Sequence, residues 1–327
     1  MNILVVGGAG YIGSHMVKLL IEEKHDVTVI DNLSNGHRDA ISKDAVFILG
    51  DINNRSLLDK ILSENFNAVI HFASFIQVGE SIDKPSKYYN NNVTNSLNLL
   101  DAMIQSNCKT LIFSSTAALF GEPEYIPIDE KHPCKPINPY GQSKWMVEKI
   151  LNDYEKAYNL KHISLRYFNA AGAAGDASLG ERHSPETHLI PLVLQVATKQ
   201  RTEITVFGDD YETPDGTCIR DYIHVTDLCS AHLLALKKLI KDGQSGAYNL
   251  GNGNGFSVKE VINSAQSITE QEIKVKIAPR RTGDPARLVA DSTLAKKELG
   301  WNPSHSDLHQ IISDSWQWEL SSKKHNE

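Results

Sequence analysis

The sequence predicts an α/β protein with a doubly wound parallel sheet and a smaller, discontinuous α/β domain. Short apolar runs alternate with amphipathic stretches in the first half of the chain, and a glycine-rich turn follows the first apolar run. This alternation ends after Tyr167, where a segment rich in glycine, alanine and polar residues begins. Strands that alternate with helices favour a parallel sheet covered by helices on both faces. We therefore expect ligands to bind at the carboxyl ends of its strands.

The glycine-rich turn connects an apolar run at residues 3–6 to a predicted helix at 14–23. Gly7, Gly10 and Gly13 have the spacing of the dinucleotide-binding turn of the Rossmann fold. In that turn one glycine makes the sharp bend, another lets backbone N–H groups approach a pyrophosphate, and the third lets the helix pack closely on the sheet. Such spacing also occurs in ordinary structural turns, so the prediction depends on the flanking strand and helix.

Acidic residues follow the next two predicted strands, at 27–30 and 45–49. Asp31 lies near the distance of about 20 residues past the glycines at which a carboxylate accepts hydrogen bonds from a ribose. A carboxylate there would repel a 2′-phosphate, so the sequence predicts NAD rather than NADP. Asp51 is placed to contact an adenine ring, although it could instead cap a helix at 55–63.

The remaining elements follow in order along the chain. Strands are predicted at 68–73, 110–114, 162–166, 204–207 and 247–250, and helices at 85–106, 143–158, 187–199, 226–240 and 257–269. Residues 1–168, with returning segments near 216–240 and 246–252, are predicted to form an NAD-binding Rossmann domain. Residues 169–215 and about 253–320 are predicted to form the smaller domain, which would bind the substrate.

Composition and charge restrict the partners of the chain. The 327 residues carry 33 basic and 40 acidic side chains, and the net charge of −7 predicts no general affinity for nucleic acid or anionic membranes. No apolar stretch approaches the about 20 residues of a membrane span, and the first strand leaves no room for a signal peptide. Four cysteines without paired spacing indicate a reduced, cytoplasmic setting. The 13 histidines include no pair at metal-ligand spacing backed by carboxylates or thiols, so no metal is expected.

A second motif supplies candidate catalytic residues. Tyr140 and Lys144 are four residues apart, so they share one face of a helix. A phenol with a pKa of about 10 is a poor base near pH 7 unless a cation stabilises its phenolate, and the lysine ammonium supplies that charge. Thr116 follows the strand at 110–114 and can hydrogen-bond a reacting hydroxyl group of a substrate. The alternatives are a surface helix pair for Tyr140 and Lys144 and a strand-end cap for Thr116.

Together these motifs resemble the extended short-chain dehydrogenase/reductase superfamily, and within it the UDP-hexose 4-epimerases. Ordered matches cover nearly the whole chain, at residues 7–14, 31–35, 71–73, 78–81, 88–93, 166–169, 215–217, 220–225 and 278–284. The resemblance implies 4-epimerisation of UDP-glucose and UDP-galactose through a 4-keto intermediate, with NAD retained. The alternatives are another UDP-sugar substrate (UDP-N-acetylglucosamine, a pentose or a uronate) and a nucleotide-binding regulatory protein without catalysis.

The resemblance also implies roles for residues. It makes Tyr140, Lys144 and Thr116 catalytic. The cofactor-binding residues that it implies are Gly7, Gly10, Tyr11, Ile12, Gly13, Asp31, Asn32, Asn35, Asp51, Ile52, Phe72, Ala73, Asn91, Ser114, Tyr140, Lys144, Tyr167 and Phe168. The substrate-binding residues that it implies are Thr116, Tyr140, Asn169, His188, Leu189, Thr205, Phe207, Arg220, Arg281, Asp284 and Leu288.

Within the substrate set, the resemblance implies that Arg220 and Arg281 grip the diphosphate, which suits guanidinium groups. Asn169 would contact a phosphate, Phe207 the uracil and Asp284 the uridine ribose. Arg220 could instead form an ion pair with a neighbouring acid such as Asp221.

Some residues differ from those that many family members carry at the same positions, and others distinguish epimerases from related enzymes. Ala117 and Ala118 follow Thr116, where related dehydratases and decarboxylases carry an acid, so simple epimerisation is favoured. Ile76 replaces a lysine that many members carry near the nicotinamide ribose, and His188 replaces an asparagine. A homodimer through the helices at 85–106 and 143–158 is implied by the resemblance alone.

Leu288 bears on the choice of sugar. Some members carry a bulky tyrosine at this position, and those with a small residue admit N-acetylhexosamines. Since leucine is smaller than tyrosine, we hypothesise activity on UDP-N-acetylglucosamine as well as on UDP-glucose. The alternative is a core leucine that packs the smaller domain.

Overall fold

The computed structural model describes residues 1–281, 284–305 and 307–324. Its strands are β1 (Asn2–Val6), β2 (Asp26–Asp31), β3 (Val46–Leu49), β4 (Ala68–His71), β5 (Thr110–Ser114), β6 (Lys161–Tyr167), β7 (Asn169–Ala171), β8 (Ile204–Phe207), β9 (Ile219–Arg220), β10 (Tyr222–His224), β11 (Gly246–Leu250), β12 (Phe256–Ser257), β13 (Val275–Ala278) and β14 (Arg287–Leu288). Its α-helices are α1 (Tyr11–Glu22), α2 (Arg55–Leu62), α3 (Val78–Asp83), α4 (Pro85–Tyr88), α5 (Asn95–Gln105), α6 (Pro139–Tyr158), α7 (Leu189–Ala197), α8 (Val225–Asp242), α9 (Val258–Thr269), α10 (Thr293–Leu299) and α11 (Leu308–Lys324). Within these described segments, every helix is too short or too polar to cross a lipid bilayer.

The main sheet has seven strands in the order β11-β6-β5-β4-β1-β2-β3, and each neighbouring pair is parallel. The chain runs outward from β1 to β3 on one side and from β4 to β11 on the other. The order therefore reverses between β1 and β4, and a doubly wound sheet binds its ligands at such a switch point. The predicted fold class, a doubly wound Rossmann sheet, is confirmed.

The side chains of β1 alternate between two buried clusters. Ile3 and Val5 pack with residues of α1 and α8 on one face of the sheet. Leu4 and Val6 pack with residues of α2, α5 and α6 on the other face. Because both faces are covered, every one of these strand residues is apolar, as in other parallel sheets.

Smaller sheets and a third buried cluster lie outside the main sheet. β7 pairs with β10, β8 with β13, and β9 with both β12 and β14. Val193 of α7, Val206 of β8, Ile262 of α9 and Ile312 of α11 belong to the third cluster. The predicted division into two domains remains a prediction, and this separate cluster supports it.

The helix predicted at 85–106 is observed as one unbroken helical run at 85–105, but it is not α-helical throughout. The segment contains α4, a π-helical turn at Tyr89–Thr94 and then α5. The wider turn carries the buried side chain of Asn92, which accepts a hydrogen bond from the Phe75 nitrogen at 2.9 Å. Its amide donates to the Phe75 carbonyl and to the Ser143 hydroxyl, both at 3.0 Å. The turn thus connects the segment after β4 to α6, as π-turns at functional sites often do.

The helix expected at 143–158 begins earlier, at Pro139. Asn138 caps it, because its side-chain oxygen accepts a hydrogen bond from the Gly141 nitrogen at 2.8 Å. Proline at the first helical position has no N–H to satisfy, and its φ is already helical. Tyr140 and Lys144 therefore both lie inside α6, one turn apart.

Candidate active site and cofactor-binding crevice

The glycine-rich turn lies at the switch point, between β1 and α1. Gly7 has a φ of +80°, and a Cβ atom there would lie 2.5 Å from the Ala73 nitrogen. A Cβ on Gly13 would lie 2.2 Å from the Gly7 carbonyl oxygen, so α1 packs directly on the turn. Gly10 precedes α1, and among the described residues no side chain caps this helix and no acid occupies its first turn. The first-turn N–H groups are therefore available to an anion such as a pyrophosphate.

Asp31 ends β2 beside this turn. Its Oδ2 accepts a hydrogen bond from the Ala9 nitrogen at 2.9 Å, and its Oδ1 accepts one from the Leu33 nitrogen at 2.8 Å. Burial raises the pKa of this carboxyl, and the two backbone N–H groups oppose the rise. Each carboxylate oxygen can accept a further hydrogen bond, so the carboxylate can also accept hydrogen bonds from ribose hydroxyls.

A cavity at this edge of the sheet brings most of the predicted cofactor residues together. Those that line it are Gly7, Gly10, Asp31, Asn32, Asn35, Asp51, Ile52, Phe72, Ala73 and Asn91. Sequence reasoning missed Ser74 and Phe75, which line it too. Asn32 donates a hydrogen bond of 2.7 Å to Asp51 Oδ2. The alternative for Asp51, a helix cap, is wrong, because Asn54 caps α2 by accepting from the Leu57 nitrogen at 3.1 Å.

Two further predicted cofactor residues, Tyr11 and Ile12, occupy the first turn of α1. The Tyr11 hydroxyl donates a hydrogen bond of 2.6 Å to the Gly172 carbonyl, which attaches the segment after β7 to this helix. The Ile12 carbonyl accepts a hydrogen bond from the Cys229 thiol of α8 at 3.7 Å. Both contacts hold the start of α1 in place, and the described residues that line the cavity include neither Tyr11 nor Ile12.

The candidate catalytic residues meet at the carboxyl end of β5. Tyr140 is 9% exposed and Lys144 is 3% exposed, so the alternative of a surface pair is wrong. Burial raises the pKa of Tyr140, and interaction with the Thr116 hydroxyl opposes this rise. Thr116 Oγ1 also accepts a hydrogen bond from the Ala118 nitrogen at 3.1 Å, so it caps the short 3-10 turn that follows. The capping alternative is thus observed, together with the contact to Tyr140.

Lys144 reaches back from α6 to the end of β5. Its Nζ donates a hydrogen bond of 2.8 Å to the Ser114 carbonyl and lies 4.9 Å from the centre of the Phe113 ring. Burial lowers the pKa of this amine to about 7, and the charge of Glu148 opposes that change. The Ser114 hydroxyl in turn hydrogen-bonds the Tyr167 hydroxyl at the end of β6. Hydrogen bonds to Ser114 thus link the Lys144 amine to the Tyr167 hydroxyl, while Tyr140 interacts with Thr116.

Sequence reasoning missed the ion pair that supports Lys144. Glu148 lies one helical turn after the lysine and forms a salt bridge of 2.6 Å with Arg166 of β6. Ser115 also donates a hydrogen bond of 2.5 Å to Glu148 Oε1. Burying a paired and hydrogen-bonded charge is tolerated, because its partners replace the lost water. The four-residue spacing of Lys144 and Glu148 was the available signal in the sequence.

The predicted diphosphate and ribose residues lie together at a second edge. Arg220 forms a hydrogen-bonded ion pair with Asp284 and donates to the Ile219 carbonyl at 2.8 Å. Asp221 does not serve as that partner, since its carboxylate accepts backbone N–H groups of Asn252, Gly253 and Ala290. The alternative of an ion pair for Arg220 is thus realised by Asp284.

Thr205 and Phe207 lie on β8, Leu288 lies on β14, and Arg281 follows β13. The Arg281 guanidinium lies 3.9 Å from the centre of the Phe207 ring, and Thr205 is two residues earlier on β8, on the same side of that strand. Leu288 of β14 is the Cα partner of Arg220 on β9. Residues 282–283 of the matching segment 278–284 lie outside the described residues.

Leu288, Phe168 and Asn169 connect this edge to the catalytic end. Leu288 and Phe168 pack, partly buried, against a small apolar cluster that begins with Ala117, the residue after Thr116. The Asn169 amide donates a hydrogen bond of 2.9 Å to the Asp221 carbonyl. The alternative for Leu288, a core leucine that packs the smaller domain, is not observed, because its partly buried side chain packs against the cluster of Ala117, Leu119, Phe120 and Ile128. Its influence on the choice of sugar stays a hypothesis.

His188 and Leu189 stand at the start of α7, and His188 belongs to a separate group of side chains. Its Nδ1 hydrogen-bonds the Glu181 carboxylate, and His183 and Glu186 complete the group. The statement that no histidine pair is backed by carboxylates is wrong, because these four side chains face one another. The contact predicted between His188 and the nucleotide stays a prediction.

Comparisons with known proteins agree with this site. The profile of the NAD dependent epimerase/dehydratase family matches residues 3–251. The UDP-glucose 4-epimerase of Halalkalibacterium halodurans is 53% identical over 319 residues, which are 97% of this chain and 95% of that protein. The chain belongs to this family, among its UDP-glucose 4-epimerases. The epimerase of Streptococcus mutans is 49% identical over 327 residues, 99% of this chain and 98% of that protein.

Solved epimerase structures share the fold. The crystal structure of one UDP-glucose 4-epimerase has a TM-score of 0.97 and 52% identity and covers 99% of this chain and 98% of its own. That of the Brucella ovis epimerase in complex with NAD has a TM-score of 0.94 and 47% identity and covers 96% of this chain and 97% of its own. The predicted family, enzyme class and cofactor are confirmed, while the roles of individual residues remain predictions.

Proposed function

We propose that the protein interconverts UDP-glucose and UDP-galactose by inverting carbon 4 of the hexose, with NAD held in the crevice at the switch point. The observation that carries the proposal is the buried group of Thr116, Tyr140 and Lys144 at the carboxyl end of β5. This group lies at the same edge of the sheet as the glycine-rich turn, which is the edge where such sheets bind ligands.

The residues at the crevice fit a dinucleotide. The uncapped N-terminus of α1 suits a pyrophosphate, and a Cβ on Gly10 would have the Gly7 carbonyl at 3.5 Å as its nearest neighbour, so the backbone is open to approach. Asp31 suits the adenosine ribose and disfavours a 2′-phosphate. When bound, NAD supplies a hydride acceptor and donor for carbon 4 of the sugar.

The residues of β5 and α6 handle the proton. Tyr140 removes the proton from the 4-hydroxyl and returns a proton to that oxygen after the 4-keto sugar has rotated in the pocket. Thr116 hydrogen-bonds the same hydroxyl. The Lys144 cation stabilises the phenolate form that a tyrosine needs in order to act as a base near pH 7. Ala117 and Ala118 carry no acid, so a second proton transfer of the dehydratase kind has no residue to perform it.

The nucleotide end of the substrate provides the binding energy. Arg220 has five N–H donors, and its described contacts use two of them, so others can reach a diphosphate. Arg281 and Phe207 form a stacked pair that suits a diphosphate next to a base. A firmly held nucleotide leaves the sugar free to present either face, and remote binding energy then positions the reacting carbon.

The test is an assay with the purified protein and no added cofactor. We expect UDP-galactose to be converted to UDP-glucose at a rate that added NAD does not raise, since the cofactor is retained. Failure to produce UDP-glucose from protein that carries its full complement of NAD would contradict the proposal. UDP-N-acetylglucosamine, tried in parallel, tests the Leu288 hypothesis, and no turnover of it would end that hypothesis.

We also propose a cytoplasmic homodimer that forms through α4, α5 and α6. The exposed apolar side chains of Ile82, Met146 and Tyr158 on or near these helices support such a contact, because burying apolar surface favours association. Sedimentation of the purified chain tests this, and a monomer at micromolar concentration would contradict it.

A further inference from the structure

Four side chains that take no part in the proposed proton transfer have the composition of a metal site. Glu181, His183, Glu186 and His188 follow one another along the loop between β7 and α7. One ligand atom from each lies within 4.8 Å of the others. The two glutamate side chains are each 6% exposed and that of His183 is 17% exposed, whereas that of His188 is 44% exposed, so three of the four side chains are shielded from water.

Three of the separations between these atoms are close to those of a coordination shell, whereas His188 Nδ1 and the Glu181 carboxylate lie closer together because they hydrogen-bond directly. His183 Nδ1 lies 3.1 Å from Glu181 Oε1 and 3.6 Å from Glu186 Oε2, and His188 Nδ1 lies 3.8 Å from Glu186 Oε1. Around zinc, with bonds of 2.0–2.2 Å, tetrahedral ligands are about 3.4 Å apart. His183 Nδ1 is also buried without a hydrogen-bond partner among the described residues, although it lies next to a carboxylate. This nitrogen is therefore available to coordinate a metal ion that all four side chains bind.

We propose that Glu181, His183, Glu186 and His188 bind one zinc ion, which holds the loop between β7 and α7 against the start of α1. Two imidazoles and two carboxylates suit Zn²⁺, which forms tetrahedral sites with nitrogen and oxygen donors. Four protein ligands close such a site, so its role is structural rather than catalytic.

The loop is attached to the elements that form the cofactor crevice. The Tyr11 hydroxyl of α1 donates to the Gly172 carbonyl at 2.6 Å. Arg182 forms a salt bridge of 2.6 Å with Asp39, and the Glu181 carbonyl accepts a hydrogen bond of 3.2 Å from the Trp318 indole of α11. A metal at this point would therefore connect three separate parts of the chain through one loop.

Protons compete with the metal for the same atoms. Burial lowers the pKa of His183, but the neighbouring carboxylates of Glu181 and Glu186 outweigh this effect and raise that pKa to about 10. Burial raises the pKa of Glu181, but the charges and hydrogen bonds of His188 and His183 outweigh this effect and lower that pKa to about 2. Without a metal, the two histidines are protonated and pair with the two carboxylates. Zinc must therefore displace the protons from the histidine nitrogens when it binds.

The test uses the full chain with its NAD and without a polyhistidine tag. The protein is treated with a chelator, freed of it and titrated with ZnCl₂ by calorimetry, and its metal content is measured by mass spectrometry. We expect one zinc ion per chain. The double variant His183→Gln, His188→Gln should bind zinc at least about 100-fold more weakly, the upper end of what losing an outer-shell partner costs. The matched control is His309→Gln, at an exposed histidine of α11.

Cobalt provides a readout that needs no variant. Co²⁺ bound to the wild-type chain should show the strong visible absorption of tetrahedral coordination, at one equivalent. Wild-type protein that takes up neither metal, a double variant that binds zinc as tightly as the control, or a weak octahedral cobalt spectrum would each overturn the proposal.

Discussion

Lys144 donates a hydrogen bond of 2.8 Å to the carbonyl oxygen of Ser114, the last residue of β5. The contact joins α6 to the strand that leads to Thr116, and it holds the lysine amine one helical turn from Tyr140, the proposed base. Burial lowers the pKa of this amine to about 7. The site therefore holds its lysine in a surrounding that disfavours the charge on which the proposed chemistry depends.

Replacing Lys144 with methionine should separate catalysis from stability. In the native chain the lysine pKa lies below the value of about 10.4 for an unfolded lysine. Between pH 7 and 10 the unfolded chain thus holds the extra proton, and the free energy of unfolding of the wild type rises with pH. Relative to Lys144→Met, the rise should reach up to about 1.4 kcal/mol per pH unit, while the variant loses epimerase activity.

Urea denaturation at pH 7.5 and pH 9 measures this difference. Lys149→Met is the matched control, because Lys149 is an exposed lysine of the same helix, and its difference from the wild type should not change with pH. Equal pH dependence in the wild type and Lys144→Met would show that the lysine is not buried as described.

The glycine-rich turn gives a steric prediction. Gly13→Ala should destabilise the protein by about 1–3 kcal/mol, as overpacking does, because its Cβ would lie 2.2 Å from a backbone oxygen. Gly79→Ala is the control: nothing lies within 4 Å of its Cβ, and alanine in a helix gains up to about 1 kcal/mol. Thermal unfolding should separate the two variants, and a Gly13→Ala protein as stable as the wild type would disprove the close packing.

Arg220→Lys should weaken nucleotide binding and leave the cofactor in place. Lysine keeps the charge and loses the planar fork, so a bidentate contact to the diphosphate and the pair with Asp284 cannot both be made. Losing one charge-assisted hydrogen bond costs about 1.5–3 kcal/mol, or on the order of 10- to 100-fold in UDP affinity. Calorimetry with UDP measures the loss of affinity, and an unchanged affinity would show that Arg220 does not bind the diphosphate.

Local spacing explains how much the sequence could predict. The three glycines and Asp31 fall within one β-turn-α-β unit, so their spacing together with the flanking strand and helix indicates the dinucleotide turn. The parallel sheet follows from the alternation of strands and helices. The capped start of α6 was also visible, as Asn138 followed by Pro139, and the prediction overlooked it. The π-helical turn was not visible, because it depends on Asn92 meeting the backbone of Phe75.

Contacts between distant parts of the chain explain what could not be predicted. Glu148 and Arg166 lie on a helix and a strand, 18 residues apart, and Arg220 and Asp284 are 64 residues apart. Neither pairing follows from periodicity, since each depends on how the sheets come together. The loop with Glu181 and His183 differs, because its alternating acids and histidines are close in the sequence and needed only the loop's fold to be recognised.

The most direct test of the central claim compares Tyr140→Phe with the wild type after UDP-galactose is added. General-base catalysis is worth about 10²- to 10⁴-fold, so the variant should lose at least about 100-fold in the rate of UDP-glucose formation. Tyr158→Phe, at an exposed tyrosine of the same helix, is the control and should match the wild type. Bound NAD and UDP affinity should be equal in all three proteins. A Tyr140→Phe protein that forms UDP-glucose at the wild-type rate would contradict the account.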